Sequence, residues 1–282
     1  MYEAASPSDP PAAAAVPSPV RANARVAIGF KQDGHATRLA HLAETDGYRV
    51  KLPRTDGAPE AVVINTGGGM AGGDRLTLDV ACADEARATV TTQSAEKIYR
   101  AEDRPCEVEV RLSVGDRAAL DWLPQETILF SGARMRRNIS VVMEESASIL
   151  IAETLVFGRM HSGERLGEGL LSDRWRVRRG GSLCFADDAR FEGQLDQLLS
   201  RRAVAASARA IATLLLVSPD SEAFLEPLRR HLETLNIECG CSAWNGMLLA
   251  RFSAGEPAEL KLGMASALRL LRSTDLPRVW QC

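Results

Sequence analysis

The densest group of chemically distinctive residues is Asn65-Thr66-Gly67-Gly68-Gly69-Met70-Ala71-Gly72-Gly73-Asp74. Glycine loses more backbone freedom on folding than any other residue. A loop built from Gly67, Gly68, Gly69, Gly72 and Gly73 is therefore kept where φ must be positive or where another group approaches the backbone closely. The loop ends in a carboxylate, Asp74. A second group is His161-Ser162-Gly163-Glu164, where an imidazole and a carboxylate three residues apart can converge on a metal or act as base and acid. Two solvated loop residues are the plainer reading of the same spacing. Trp122-Leu123-Pro124-Gln125-Glu126 sets a third carboxylate just after a proline corner, where a solvated turn is the alternative. Cys239-Gly240-Cys241 offers two soft ligands, with His231 and Cys282 as the only candidate companions. Zinc sites favour two Cys-x-x-Cys pairs, so buried unpaired thiols are the simpler reading. Asp187 and Asp188 are adjacent and point to opposite faces if they lie on a strand. No Ser-His-Asp spacing and no Gly-x-Ser-x-Gly elbow occurs.

The glycine loop invites a nucleotide reading, and its flanks argue against one. Gly67-x-Gly69-x-x-Gly72 follows a strand-like run, Ala61 to Ile64, as a dinucleotide fingerprint would. That fingerprint needs a helix next, to set its N-terminus against the pyrophosphate. Instead Leu76, Leu78, Val80 and Cys82 alternate, which is the period of a strand. A phosphate loop ends in Gly-Lys-Ser/Thr, whereas Asp74 would repel a phosphate. A glycine-rich link between two strands remains.

The elements that must position these groups are mostly strands. Tyr48, Val50 and Leu52 alternate after an Asp46-Gly47 hairpin turn. Cys106, Val108, Val110, Leu112 and Val114 alternate up to a Gly115-Asp116 turn. Ala119 to Leu123 and Glu126 to Phe130 flank Pro124-Gln125. Met135, Arg137, Ile139, Val141 and Met143 share one parity. Ile149 to Phe157 reads as a strand, and Trp175 and Val177 oppose Arg174, Arg176 and Arg178 before Gly180-Gly181. The arginines around Arg134 to Arg137 and Arg174 to Arg179 read as a solvated sheet face or as a surface for an acidic partner. Short strands at this spacing predict a mainly β fold, a sandwich or a set of stacked, solenoid-like sheets. No strict repeat period selects the solenoid.

The last third changes character. Thr213 to Ser218 reads as a buried strand and Asp220 to Leu235 as a helix interrupted or restarted at Pro227. Trp244-Asn245-Gly246 turns the chain into a strand, Met247 to Phe252. Pro257 opens a helix on which Leu260, Met264, Leu268 and Leu271 stack, ending near Ser273. These elements predict a β-α-β-α portion over 213–282, joined without a linker to a β-rich body over 21–212. Ala203 to Ala212 fits either a helix or buried coil. Residues 1–20, rich in alanine and proline, predict a disordered tail and carry no secretory pattern.

Composition narrows the function classes. The 282 residues are 45% hydrophobic and 25% charged, ordinary for a globular chain able to bury a sizeable core. A net charge of −3 argues against nucleic acid as a partner. No apolar run is long enough to span a bilayer. Six scattered cysteines fit reduced thiols and a cytoplasmic location.

Four segments in order resemble the urease accessory protein UreD (UreH) family. They are Gly67 to Asp74, then Thr91-Thr92-Gln93-Ser94-Ala95-Glu96-Lys97-Ile98-Tyr99-Arg100, then Trp122 to Ile128, then Glu153 with Gly158-Arg159-Met160-His161-Ser162-Gly163-Glu164. The resemblance runs from about Arg25 to Trp280, with Met70 and Glu96 departing from the small or polar residues expected there. It implies a mostly β fold with two helices and a non-enzymatic nickel-insertion chaperone. It implies partners UreF, the GTPase UreG and apo-urease, in a dimeric hetero-complex. GTP would be bound by UreG, and this chain would hold no tight cofactor, only transient Ni²⁺ in an internal passage. Asp74 and Glu164, with Glu126 and His161, would meet the metal there. Lys97, Tyr99, Arg100, Pro124, Gln125 and Arg159 would be packing residues of the motifs. Weak oxygen ligands suit a transfer route, since imidazole and thiolate would hold the ion. Two other readings stand beside this one: a docking adaptor without metal contact, and a hydrolase using two of Glu126, His161, Glu164 and Asp187.

Overall fold

The computed structural model describes residues 21–159 and 166–281. The chain winds between two sheets. Sheet A begins with β1 (Asn23–Asp33) and β2 (Ala36–Glu44), an antiparallel hairpin. The chain crosses to sheet B for β3 (Tyr48–Lys51) and β4 (Glu60–Asn65). Three coils follow, each laying one strand in A and the next in B. They are β5 (Arg75–Cys82) to β6 (Arg87–Thr92), β8 (Cys106–Val114) to β9 (Ala119–Leu123), and β11 (Arg134–Met143) to β12 (Ser148–Phe157). Short strands β7 (Glu96–Ile98) and β10 (Thr127–Leu129) follow β6 and β9 on the return to sheet A.

Successive coils stack in parallel register, β1 on β5 on β8 on β11 in sheet A and β4 on β6 on β9 on β12 in sheet B. In sheet A the last coil adds β13 (Glu168–Arg179), and the hairpin to β14 (Ser182–Gln194) closes that edge. After a short helix, α1 (Leu195–Leu199), sheet B ends in β15 (Ala210–Val217), β17 (Met247–Ala254) and β16 (Glu238–Trp244), all antiparallel. The result is mainly β, with stacked, solenoid-like sheets and C-terminal helices, as the alternation predicts.

The corners explain why no strict repeat is visible. The turns before β6, β9 and β12 each close with a backbone bond, Ala86 to Ala83, Ala118 to Gly115 and Ala147 to Glu144. Ala86, Ala118 and Ala147 are buried and stack through further backbone bonds. Only one small residue per coil is held constant there, and the coil lengths differ. That is too sparse to register as a sequence period.

Two apolar cores share sheet B. The inner one lies between the sheets and holds Val26, Ile28, Leu78, Val110, Ile139, Val141, Ile149 and Ile151. The outer one holds Leu150, Ala152, Leu214 and Leu248 under α2 (Leu225–Leu232) and α3 (Pro257–Leu271). Leu260, Met264 and Leu268, four residues apart, are fully buried on one face of α3. Each contributes about 1.5–3 kcal/mol of apolar burial.

Several expectations change. The Asp46-Gly47 turn has positive φ at both residues, yet it carries the chain from β2 in sheet A to β3 in sheet B and makes no hairpin. The C-terminal order is β-α-β-β-α, because Glu238–Trp244 is an edge strand; its alternating inward set, Cys239, Cys241 and Ala243, is small and only half-buried against the outer core, a weak sequence signal. The Asp220 to Leu235 helix is a 3-10 turn, Ser221–Phe224, followed by α2 with Pro227 in its first turn. Ala203 to Ala212 is neither a helix nor coil throughout: turns lead into β15 at Ala210. Arg137 is no solvated arginine. It is 5% exposed, because it shares the inward parity of Met135 and Ile139.

Candidate functional site

The glycine loop is an extra rung beside β7. Met70 donates to the Lys97 carbonyl and accepts from the Tyr99 amide, both at 2.8 Å, so its side chain lies beside Ile98 in the inner core. The close approach explains two glycines. A Cβ on Gly69 would lie 2.6 Å from the Lys97 oxygen and one on Gly72 2.5 Å from the Arg104 oxygen. Gly68 and Gly73 take positive φ. Asp74 shapes this loop: its Oδ2 accepts from the Ala71 amide at 2.7 Å and its Oδ1 from the Ala22 amide at 3.0 Å. Both oxygens thus tie the loop to itself and to the start of β1.

A recess of about 70 Å³ lies against the loop, lined by Tyr48, Asn65, Gly68 and Glu96 among others. Asn65 Nδ2 donates to Glu96 Oε1 at 2.8 Å and Tyr48 Oη–H donates to Glu96 Oε2 at 3.0 Å. Asn65 Oδ1 accepts from the Gly67 amide, linking the cluster to the glycines. Burial raises the Glu96 carboxyl above its ordinary range, opposed by the bonds from Asn65 and Tyr48. The Tyr48 phenol is pushed up by burial and then by Glu96. Burial, with Glu96 and Asp74, lifts the nearby Cys106 thiol to about 12, so it stays protonated.

A second polar centre lies between the sheets. Arg137 on β11 holds Asp173 on β13 through two parallel bonds, Nε to Oδ1 at 2.9 Å and Nη2 to Oδ2 at 2.7 Å. Its Nη1 donates across the sandwich to Glu153 on β12. Trp122 Nε1 donates to Glu153 Oε1 at 2.7 Å and Trp175 Nε1 to Asp173 Oδ2 at 3.2 Å. One guanidinium therefore serves two carboxylates in a site shut off from water. Burial opposes the Arg137 charge, but Asp173 and Glu153 outweigh it and hold the arginine more firmly protonated. Glu153 carries the remaining cost. Burial raises its carboxyl, Arg137 opposes, and the neighbouring Asp173 adds to the rise.

The two centres share a face. Parallel register sets Glu96 beside Thr127 and Thr127 beside Leu155, two residues along β12 from Glu153. Residues two apart on a strand, and those paired across it, point the same way. Tyr48, Asn65, Glu96, Thr127 and Glu153 thus form a polar line along the inner side of sheet B.

The other sequence candidates fall elsewhere. Glu126 lies on the helix side, its carboxylate 3.8 Å from Lys261 Nζ of α3, while its backbone oxygen accepts from the Glu96 amide. Pro124 and Gln125 are buried, and the Gln125 amide donates to Thr92 Oγ1. Lys97 is exposed. Tyr99 packs edge-on against Phe130, over whose ring Arg159 lies at 4.9 Å, and Arg100 bridges to Ala133. His161 and Glu164 lie outside the described residues. Asp187 pairs with Arg251 at 2.7 Å, and Asp188 with Arg174 and Arg176. His231 meets Ser266, while Cys239 Sγ turns to the Leu232 carbonyl. Among the described residues no three His, Cys, Asp or Glu side chains gather to hold a metal.

Comparison with known proteins bears on this geometry. The sequence pattern described as "UreD urease accessory protein" matches residues 22–281. The chain belongs to the UreD urease accessory protein family. It is 44% identical to the urease accessory protein UreD of Xanthobacter autotrophicus, over 97% of this chain and 96% of that one. It is 43% identical to that of Azorhizobium caulinodans, over 95% and 99%, and 44% identical to that of Bradyrhizobium diazoefficiens, over 91% and 94%.

In this UreD-family chain two members of the inter-sheet centre carry a sequence signal. Glu153 is the only charge in the apolar run Ile149 to Phe157, and Arg137 stands at an inward parity. A lone charge at such a position needs a buried partner. Asp173 gave no comparable signal, since it stands among the alternating arginines of β13.

Proposed function

We propose that the chain is a urease maturation factor that conducts no chemistry of its own. In this reading it joins UreF and the GTPase UreG in the cytoplasm on apo-urease, within a dimeric hetero-complex, and nickel passes through it as cargo. GTP belongs to UreG. The observation that carries the reading is the pair of inter-sheet carboxylates, Glu153 and Asp173, against a single guanidinium, in a chain whose relatives are named urease accessory proteins. Carboxylate oxygens hold nickel weakly, which suits a route better than a resting place, and an arriving cation would have to displace Arg137 from them. Glu96, on the same inner face, is the next carboxylate toward the glycine loop. Asp74 then contributes the shape of the loop, and Glu126, on the helix side, stands off the line of Glu96 and Glu153.

The test is co-expression of urease subunits with UreF and UreG, with and without this chain, followed by nickel analysis of purified urease. Nickel content that does not depend on the chain contradicts the proposal. A pure docking adaptor is favoured by one observation, the engagement of both Asp74 oxygens by backbone amides. Equilibrium dialysis with Ni²⁺ separates the two: the adaptor retains no more nickel than a Glu96→Gln, Glu153→Gln double variant does.

A further inference from the structure

A cavity of about 300 Å³ opens on the helix side of sheet B, at the end where β6, β9 and β12 begin. It lies on the face opposite the polar line, so it is independent of the nickel reading. Its floor is one lateral row of the sheet. Register sets Thr89 beside Asp121, Asp121 beside Leu150, and Leu150 beside Leu216, so the floor passes from polar to apolar. Arg272, the residue after α3, lies over the polar half with its side chain 5% exposed. Its Nη2 donates to Thr274 Oγ1 at 2.9 Å and Thr89 Oγ1 at 3.3 Å, and lies 3.4 Å from Asp121 Oδ2. Its Nε and Nη1 are buried with no partner among the described residues.

Unpartnered donors on a buried guanidinium are costly, and a native chain rarely carries two on one side chain without a use. To reach the cavity these buried donors require the guanidinium to turn, giving up its Nη2 contacts to Thr89 and Asp121. They call for an oxygen anion. The apolar half of the floor, with Phe224 and Leu271 on the walls, calls for a short hydrocarbon body. We infer that this cavity binds a small branched-chain monocarboxylate, its carboxylate on the Arg272 donors and its body on Leu150 and Leu216. Charge does not forbid it. Arg87 and Arg272 face Asp121 and Asp220 around the cavity, and the charge of Arg272 also acts on the Glu60 carboxyl, which burial raises. Burial holds the Asp121 carboxyl above its ordinary range, against the pull of Arg272. Asp121 takes up a proton as the ligand arrives, so two anions do not share one guanidinium.

Isothermal titration calorimetry of the full-length chain with isovalerate tests this, run in two buffers of different ionisation enthalpy and with isovaleramide as the neutral control. The expected result is saturable one-to-one binding with proton uptake, weakened about tenfold or more by Arg272→Gln and by the amide, as loss of a charge-assisted bond requires. Ser148→Phe fills the cavity from the first residue of β12 without touching Arg272, and it too is expected to abolish binding. Should Arg272→Gln fail to fold, the Ser148→Phe arm decides. No saturable binding to the wild type, undiminished binding by Ser148→Phe or by folded Arg272→Gln, or equal affinity for isovaleramide overturns the inference.

Discussion

Glu153, Arg137 and Asp173 form a buried network of three charges. Removing one member of a buried ion pair typically costs about 3–5 kcal/mol, because the partner charge stays behind without water. Glu153→Ala is expected to lose that much in denaturant unfolding. Glu153→Gln keeps one acceptor oxygen, for Trp122 or for Arg137 but not both, and is expected to lose less than alanine does. The pH dependence has a definite sign. The Glu153 carboxyl is raised above its ordinary 4.5, so the folded chain retains a proton that the unfolded chain releases. Its contribution is fully present below that ordinary value and is lost as pH rises through the folded value. The stability of wild type relative to Glu153→Gln should therefore fall as pH rises from about 4.5. A flat or rising difference would show that Arg137 wins over burial. Asp74 gives a contrasting case. Asp74→Ala frees two amides and is expected to cost about 1–2 kcal/mol, measured as a shift in thermal unfolding. If stability is unchanged, the capping role assigned to its two oxygens is wrong.

Among the elements, the glycine loop and α3 make separable predictions. Gly72→Ala sets a Cβ 2.5 Å from Ala101 Cβ and the Arg104 carbonyl, both on short connections with little room to give. About 1–3 kcal/mol of overpacking cost is expected. Gly57→Ala meets nothing within 4 Å and should be near neutral. On α3, Leu268→Ala should cost about 2–5 kcal/mol, whereas Leu262, 72% exposed, should tolerate alanine. Parallel chemical denaturation of the four variants checks both pairs. Strands with clean alternation, such as Cys106 to Val114 and Met135 to Met143, were legible in sequence because one face is core. So was α3, whose leucines and methionine repeat at helical spacing. What escaped was set by pairing at a distance. Edge strand β16 turns only small side chains, Cys239, Cys241 and Ala243, toward the outer core, and those only half-buried. The Asp46-Gly47 turn has hairpin residues, but which sheet the next strand joins is decided by β4 and β6, not by the turn.

At the scale of the whole molecule, two sheets enclose an apolar core that is interrupted by a line of polar side chains along sheet B and by Arg137 and Asp173 from sheet A. The resemblance to a urease accessory family was legible because its motif segments carry unusual glycine and proline positions. The inner line was not, because its members come from five different strands or strand ends and meet only when the coils stack. No helix among the described residues is long and apolar enough to cross a membrane. The central claim is that nickel bound for urease passes the inter-sheet carboxylates. Its most direct test is the nickel content of urease matured in cells by Glu153→Gln, with UreF, UreG and the variant co-purifying at wild-type ratios. The expected result is urease that assembles fully but contains much less nickel than with the wild-type chain. Wild-type nickel content with that variant would contradict the claim and leave the chain a docking scaffold.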